Sequence, residues 1–147
     1  MTNREWLLDY VEFNPTRFLK ESERWADLIT KKRRELESIS ELPSIESSGV
    51  QTSNIADSSA RQAIQRLKIT AEIEKLEGFI KIKAWAFSQL SSSDRELING
   101  FFFDDKPVYL FVEDYGREHG LCRSDVYTAR RLALEEFSEL ICTKYYL

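Results

Sequence analysis

Residues 112–137 read VEDYGREHGLCRSDVYTARRLALEEF, and the order of small and apolar residues in this segment predicts two helices that cross at a sharp angle. Such a crossing needs a small residue where the helix axes approach, a turn residue that tolerates positive φ, and apolar side chains that fill the angle. Gly116 meets the first requirement and Gly120 the second, while Val126 and Ala129 face back into the crossing from the later helix. The segment therefore contains the parts of a compact two-helix corner.

The helices on either side of this corner follow from the same pattern. We predict one helix from about Val108 to His119 and a final helix from about Arg123 into the C-terminal residues. The apolar stripe of the final helix is continued by Ala133, Leu134 and Phe137. The small residue precedes the turn glycine by four positions, and the apolar plug follows it by six, as in DNA-binding helix-turn-helix motifs. An ordinary helical hairpin that binds nothing is the alternative interpretation.

The side of the final helix opposite its apolar stripe carries the candidate DNA-contacting residues. Helical spacing places together on that side Arg123, Ser124, Tyr127, Thr128 and Arg131. In a helix that enters the major groove, the three residues nearest the N-terminus would reach base edges, and Thr128 would contact either a base or the backbone. We expect Arg130 or Arg131 to contact phosphate.

A longer segment carries a family resemblance. Residues 90–137, LSSSDRELINGFFFDDKPVYLFVEDYGREHGLCRSDVYTARRLALEEF, resemble region 4 of bacterial sigma factors, in which a helix with a Leu-Ser/Thr-x-x-Glu/Asp-Arg-Glu leader precedes a helix-turn-helix. The segment departs from that pattern at Cys122 and Asp125. The layout of the whole chain is similar to that of the ArpU/RinA-type late-gene regulators of phages and prophages of Gram-positive bacteria. The resemblance implies a sequence-specific transcriptional regulator of late-gene promoters that binds double-stranded DNA, with RNA polymerase as a possible partner.

Composition predicts an all-α fold. The chain has 147 residues, of which 42% are hydrophobic and 31% charged, enough for one modest core. Two cysteines are too few for a disulfide scaffold, and five glycines with three prolines are too few for a turn-rich β protein. No uncharged apolar stretch is long enough to cross a bilayer, and Glu5 and Asp9 stand where a signal peptide would be apolar. We therefore expect a cytoplasmic protein with no membrane association.

The N-terminal region predicts two helices. Thr2 and Glu5 have the spacing of a capping box for a short helix that buries Trp6, Leu7 and Tyr10. Asn14-Pro15 then reads as an N-cap followed by proline at the first position of a helix that extends to about Ser38. The apolar stripe of this second helix consists of Phe18, Trp25, Leu28, Ile29, Leu36 and Ile39. The basic run at 31–34 is interpreted as a solvated helix face.

Four segments are predicted along the chain. They are an N-terminal helical arm at 1–40, a Ser-rich linker at 41–57, a long helix at 58–90, and a helix-turn-helix DNA-binding domain at 91–147. Asp57 is the expected N-cap of the long helix, and Ser93 with Glu96 forms a second capping box. The long helix has one apolar stripe of Ile64, Leu67 and Ala71, and another of Ile69, Ile73, Leu76, Ile80 and Phe87. Two stripes imply burial on two sides, and therefore a homo-oligomer, in the simplest case a dimer.

Charge and the remaining motifs bound the other functions. The net charge is −4, and residues 91–147 contain 7 basic and 11 acidic groups, so any basic surface must be local. His119, Cys122 and Cys142 match no standard zinc pattern, and no triad or Gly-rich phosphate loop is evident, so we expect no enzyme, metal or cofactor. The remaining alternatives are the small subunit of a phage terminase, which acts in DNA packaging, and a sigma-4-like protein-interaction module that does not bind DNA.

Overall fold

The structure is a computed structural model that describes residues 2–8, 13–41 and 52–147, and these residues form six α-helices and no strand. The all-α prediction is confirmed. The helices are α1 (Asn3–Leu8), α2 (Pro15–Glu41), α3 (Thr52–Gln89), α4 (Ser92–Phe102), α5 (Val108–His119) and α6 (Arg123–Tyr145). Within the three described ranges, none of the helices has both the length and the apolar character that a membrane span requires.

The chain divides into two compact units. The C-terminal unit comprises Met1–Glu23 and Phe79–Leu147, and the hairpin unit comprises Arg24–Gly78. These units differ from the four predicted segments because α2 and α3 each belong partly to one unit and partly to the other. The physical reason is that a long helix meets different neighbours along its length, so composition along the chain does not mark where its contacts change.

Both predicted caps in the N-terminal region are present. The backbone N–H of Thr2 donates to Glu5 Oε2 at 2.7 Å, and the N–H of Glu5 donates to Thr2 Oγ1 at 3.3 Å, which is the capping box. Asn14 Oδ1 accepts from the N–H of Arg17 at 3.1 Å, and Pro15 opens α2. Leu7 is fully buried, Trp6 is half-buried, and Tyr10 lies outside the described residues.

Aromatic packing forms the centre of the C-terminal unit. The ring of Phe18 lies 5.7 Å from that of Phe79 and 6.0 Å from that of Phe137, centroid to centroid, and Phe87 lies 5.7 Å from Phe137. These rings come from α2, α3 and α6, and all but Phe87 are almost completely buried. Of the predicted stripe of α6, Val126, Ala133 and Phe137 are fully buried, Ala129 and Leu134 are half-buried, and Ile141 extends the buried side.

The hairpin unit pairs the later part of α2 with the earlier part of α3 in antiparallel fashion. Its buried cluster consists of Ile29, Ile39, Ile69 and Ile73, with Leu36 and Leu76 packed against it. Lys32 and Arg33 form ion pairs with Glu72 and Glu77 of α3. The prediction of a solvated face at 31–34 agrees with the exposure of Arg33, whereas Lys32 is half-buried because it borders the buried stripe. Leu28, predicted within the stripe, is exposed.

Two helix starts differ from the prediction. Helix α3 begins at Thr52, so Asp57 lies within it, and the predicted 41–57 linker is helical at Glu41 and from Thr52 onward. Residues 42–51 of that linker lie outside the described residues. Serine lowers helix propensity only slightly, so a Ser-rich composition does not by itself exclude a helix. At the other side of this linker, α2 ends at Glu41, three residues later than the predicted end at about Ser38.

The second correction concerns the cap of α4. Ser91 is the N-cap, and its hydroxyl accepts from the N–H of Asp94 at 3.2 Å. Ser93, the predicted cap, lies in the first turn, where its hydroxyl is 3.2 Å from the hydroxyl of Tyr115. The cap is therefore earlier than predicted, because several serines in succession offered the same chemistry and the tertiary contact with Tyr115 occupies Ser93.

The two apolar stripes of α3 have different environments. Ile69 and Ile73 are buried, whereas Ile64 and Leu67 are 53% and 71% exposed and Ala71 is also exposed. Burial of one stripe against α2 agrees with the prediction, and burial of the other stripe by a second chain stays a prediction. The hairpin unit contains one neighbouring helix for this part of α3, and one neighbour covers one side.

Candidate nucleic-acid interface

The corner between α5 and α6 has the predicted boundaries. Helix α5 ends at His119, α6 begins at Arg123, and Gly120 lies between them with φ +65°. The N–H of Leu121 donates to the carbonyl of Gly116 at 2.8 Å, which closes the end of α5 in the manner of a glycine C-cap. The left-handed backbone at this point strains any residue with a Cβ atom, and glycine avoids that strain.

Gly116 lies where the chain after the turn passes close to α5. A Cβ atom built there would be 2.7 Å from the carbonyl oxygen of Leu121 and 3.6 Å from Val126 Cγ2. The first distance is shorter than real Cβ contacts, and the neighbour is backbone, which cannot rotate away. Val126 is fully buried and Ala129 half-buried. The close approach at Gly116, the positive φ at Gly120 and the burial of Val126 agree with the prediction.

The N-terminus of α6 has an unusual cap. Cys122 is the N-cap residue, but its side chain makes no cap hydrogen bond. Its thiol instead donates to Asp125 Oδ2 at 3.0 Å and lies 3.2 Å from the hydroxyl of Ser124. A carboxylate in the first turn is favourable for the helix dipole. The departures at Cys122 and Asp125 are thus linked, since the two side chains contact each other.

The predicted contact residues of α6 divide into an exposed set and one half-buried residue. The exposed residues are Arg123, Ser124, Tyr127, Thr128 and Arg131. The guanidinium of Arg131 lies 4.0 Å from Glu135, and because both side chains are exposed this pair contributes little to stability. Helical spacing and exposure together give α6 one continuous polar side, which we call the outer face of α6.

Two residues of the outer face are held by neighbouring groups. The ring of Tyr127 lies 5.5 Å from that of Phe101 on α4, and the guanidinium of Arg123 lies 6.0 Å from the Tyr127 ring. The hydroxyl of Thr128 donates to the carbonyl of Ser124 at 3.0 Å. Thr128 therefore has its acceptor lone pairs and its methyl group to offer an external partner, while its donor is used within the helix.

Arg130 does not lie on the outer face of α6. It is half-buried, its guanidinium lies 5.0 Å from the Phe101 ring and 5.4 Å from the Phe102 ring, and its buried Nε has no hydrogen-bond partner. Phe101 thus contacts both Arg130 and Tyr127, and Phe102 contacts Arg130. The sequence did not predict this role of Phe101, because α4 and α6 come together only in the folded chain.

The structure also contains a groove between α4 and α5 that the sequence did not predict. This groove has a volume of about 480 Å³ and is lined by residues that include Glu96, Asp104, Lys106, Asp114 and Glu118. Lys106 and Asp114 are hydrogen-bonded, and this bond raises the pKa of Lys106 and lowers the pKa of Asp114 because it stabilises both charged forms. No spacing rule connects these residues, since they come from two helices and the loop between them.

The three residues considered as zinc ligands have separate environments. The imidazole of His119 packs against the Tyr115 ring, with centroids 4.1 Å apart, while Cys122 contacts Asp125 and the sulfur of Cys142 lies 3.8 Å from the hydroxyl of Ser138. They do not form a common cluster among the described residues. Comparison of the chain with models of known protein families, with curated proteins and with solved structures gives no match.

Proposed function

We propose that the chain is a sequence-specific DNA-binding transcriptional regulator, which inserts the N-terminal half of α6 into the major groove of double-stranded DNA. The observation that carries the proposal is the division of α6 into two sides. Val126 and Ala133 are fully buried, whereas the five residues of the outer face of α6 are exposed together. A recognition helix requires this division, because the residues that hold it to its own domain cannot also read bases.

The chemistry of the outer face suits direct readout. Arg123 offers a bidentate donor for guanine, worth about 1–3 kcal/mol of discrimination. Ser124 and Thr128 offer small polar groups, and the partly exposed ring of Tyr127 offers an apolar surface for a thymine methyl group. Arg131 lies further along the same side and is suited to phosphate.

Arg130 is proposed as a second phosphate contact of a different kind. Its guanidinium is held against Phe101 and Phe102, so that less side-chain freedom is lost when a phosphate binds. The acidic groups at Glu135, Glu136 and Glu139 lie in the later half of α6. Salt screens exposed charges beyond about 8–10 Å, so they weaken binding without preventing it.

We further propose that two copies associate through the exposed side of α3 in the hairpin unit. Its apolar residues Ala60, Ile64, Leu67 and Ala71 follow the alternating four- and three-residue spacing of a helix-pairing seam. In an antiparallel two-fold arrangement, Ile64 lies opposite Leu67 of the partner subunit, and Ala60 opposite Ala71 of the partner subunit. The stripe is therefore complementary to itself, as a two-fold interface requires.

Association would also supply affinity. Specific protein–DNA complexes have dissociation constants of about 10⁻⁸–10⁻¹¹ M, and two or three base contacts from a single helix do not reach that range. Two linked copies convert the second binding event into an intramolecular one. Contact with RNA polymerase bound beside the DNA would increase affinity in the same way. We therefore propose that the chain acts at promoters, namely the late-gene promoters of a phage or prophage.

The proposal is tested by selecting fragments from random duplex DNA and measuring their affinity by fluorescence anisotropy. We expect one enriched sequence, tighter binding than to scrambled DNA, and a loss of about tenfold or more in affinity for Arg123→Ala. Arg123→Lys should restore charge but not the bidentate contact, so discrimination should remain low. Arg4→Ala removes an exposed arginine from α1 and serves as the matched control.

Two results of this experiment would contradict the DNA proposal. No enriched sequence at low salt, or equal losses for Arg123→Ala and Arg4→Ala, would contradict sequence-specific binding by α6. A selected site that does not overlap a promoter, and that leaves transcription by purified polymerase unchanged, would favour the terminase small subunit.

A protein-interaction module is the second candidate because one observation favours it. A groove of about 480 Å³ in the C-terminal unit is lined by Trp85, Glu136, Glu139, Leu140, Thr143 and Lys144. A groove that combines apolar side chains with two carboxylates suits a basic amphipathic segment of another protein. Binding of purified RNA polymerase that is lost in Trp85→Ala, without any DNA binding, would establish this function.

A further inference from the structure

We infer that Glu96, Glu118 and His119 form a binding site for one divalent cation of the Zn²⁺ type. The inference does not depend on DNA binding. Each of the three side chains offers one ligand atom, and the three atoms all lie within 4.8 Å of one another. Among the described residues, this is the group of His, Cys, Asp or Glu side chains close enough together to share a metal ion. Tetrahedral ligands held at about 2.0–2.2 Å from a metal lie about 3.3–3.6 Å apart, so these exposed side chains must rotate to bring their ligand atoms closer together.

The ligands come from two helices. Glu96 belongs to α4, and Glu118 and His119 belong to the last turn of α5. His119 Nε2 already lies 3.8 Å from Glu96 Oε2. A cation bound here would therefore connect α4 to α5 directly before the corner that leads into α6.

The imidazole is positioned by its surroundings. Its ring packs against the ring of Tyr115 at 4.1 Å between centroids, with 31° between the planes. Tyr115 is itself buried, and its hydroxyl lies 3.2 Å from the hydroxyl of Ser93 on α4. This contact limits the freedom of the histidine, so less ordering is needed when a metal binds.

Charge at the site favours a cation. The C-terminal end of a helix carries a partial negative charge, so the carboxylate of Glu118 in the last turn of α5 is unfavourably placed by itself. Glu96 adds a second carboxylate, and Asp104 lines the same groove. Lys106, which also lines the groove, is hydrogen-bonded to Asp114, and its ammonium also interacts electrostatically with Asp104 and Glu118. A divalent cation between Glu96 and Glu118 would relieve their repulsion and complement the helix end.

The ligand types select the metal. One imidazole nitrogen with two carboxylate oxygens suits Zn²⁺, Co²⁺ and Mn²⁺, whereas Ca²⁺ and Mg²⁺ prefer oxygen ligands alone. All three side chains are exposed, so water completes the coordination. Because the folded chain presents the ligands together and the unfolded chain does not, binding should stabilise the fold in proportion to RT ln(1 + [Zn²⁺]/Kd).

The test uses the full chain, with Zn²⁺ as the titrant and no DNA present. Isothermal titration should show one ion per chain, and the melting temperature should rise as the concentration of Zn²⁺ rises. His119→Ala and Glu96→Gln should each lower the affinity by more than about tenfold and remove the thermal shift, while circular dichroism shows unchanged helicity. Glu113→Gln, an exposed change elsewhere on α5, is the matched control and should leave binding unchanged.

Three results would overturn the site. These are no Zn²⁺ binding by the unmodified chain at millimolar concentration, equal binding by the His119→Ala and Glu96→Gln variants, and loss of binding in Cys122→Ser. The last result would assign the ion to the exposed thiol of Cys122 instead. Because DNA is absent from the experiment, its outcome is separate from that of the proposed function.

Discussion

Helices α6 and α3 both carry a buried apolar stripe, but their exposed sides differ, since that of α6 is polar near its N-terminus and that of α3 carries apolar residues. In α6 the stripe is buried or half-buried along its length, and the opposite side is polar at its N-terminal end, with Arg123, Ser124, Thr128 and Arg131 exposed. In the hairpin unit, α3 buries Ile69 and Ile73 and leaves Ile64 and Leu67 in solvent. The N-terminal outer face of α6 therefore suits a polar partner, whereas the exposed stripe of α3 suits an apolar one.

The difference follows from the number of neighbours. Helix α6 packs against α4 and α5, and its Phe137 meets rings from α2 and α3. In the hairpin unit, α3 has α2 as its neighbouring helix. A helix with several neighbours can bury one side completely and display polar chemistry on the other, while a helix with one neighbour leaves a second apolar stripe for another molecule.

The largest effect on stability is expected at the most enclosed position of α6. Phe137→Ala removes a fully buried ring that contacts Phe18 and Phe87, and should lower the free energy of unfolding by about 3–5 kcal/mol. Chemical denaturation measures it. The control is Leu132→Ala on the exposed side of the same helix, which should change the free energy of unfolding by less than about 0.5 kcal/mol. Similar losses in the two variants would show that the two sides of α6 are not distinct.

The corner before α6 should be the next most sensitive feature. Gly116→Ala places a Cβ atom 2.7 Å from the carbonyl oxygen of Leu121 and should cost about 1–3 kcal/mol of unfolding free energy. At Gly120 a Cβ atom meets nothing within 4 Å, so Gly120→Ala should cost about 1–2 kcal/mol through its positive φ alone. Thermal unfolding of the two variants compares them. A Gly116→Ala chain as stable as the unmodified chain would show that the helices tolerate a wider crossing.

The exposed stripe of α3 should affect association more than folding. Replacing Ile64 and Leu67 together by serine should leave the free energy of unfolding of the single chain within about 1 kcal/mol of the original, because neither side chain is buried. Sedimentation equilibrium should change from dimer to monomer. Ile73→Ser, on the buried side of the same helix, is the control and should lower stability by more than the double replacement. A monomer mass for the unmodified chain at tens of micromolar would contradict the proposed dimer.

The smallest effect on stability is expected at the polar side of α6. Arg131→Ala removes an exposed side chain whose ion pair with Glu135 is weak, so unfolding should change by less than about 0.5 kcal/mol. On selected DNA, the slope of log affinity against log salt should decrease in magnitude by about one, because one phosphate contact is lost. An unchanged slope would place Arg131 outside the DNA contact.

The corner was predictable because its requirements are local. Gly116, Gly120 and Val126 lie within eleven residues, and their spacing alone predicted the limits of α5 and α6. The capping box of Thr2 and Glu5 was predictable for the same reason. By contrast, the cap of α4 was placed two residues late, since Ser91 and Ser93 are chemically alike and the contact of Ser93 with Tyr115 spans 22 residues of sequence.

The candidate sites show the same limit. Periodicity identified the exposed arginines of α6, but it could not show that Arg130 packs over Phe101 and Phe102, because those rings belong to another helix. The spacing of His119, Cys122 and Cys142 matched no zinc pattern, whereas the structure brings the carboxylates of Glu96 and Glu118 near the imidazole of His119.

Helical content, the α5–α6 corner and the polar side of α6 were thus encoded in patterns of ten or so neighbouring residues, since backbone geometry and side-chain periodicity act over that range. Which stripe of α3 is buried, which arginine of α6 is free, and which acidic groups surround His119 depended on contacts between distant segments. Such contacts arise when the chain packs to bury its largest apolar surfaces, and no local spacing records their outcome.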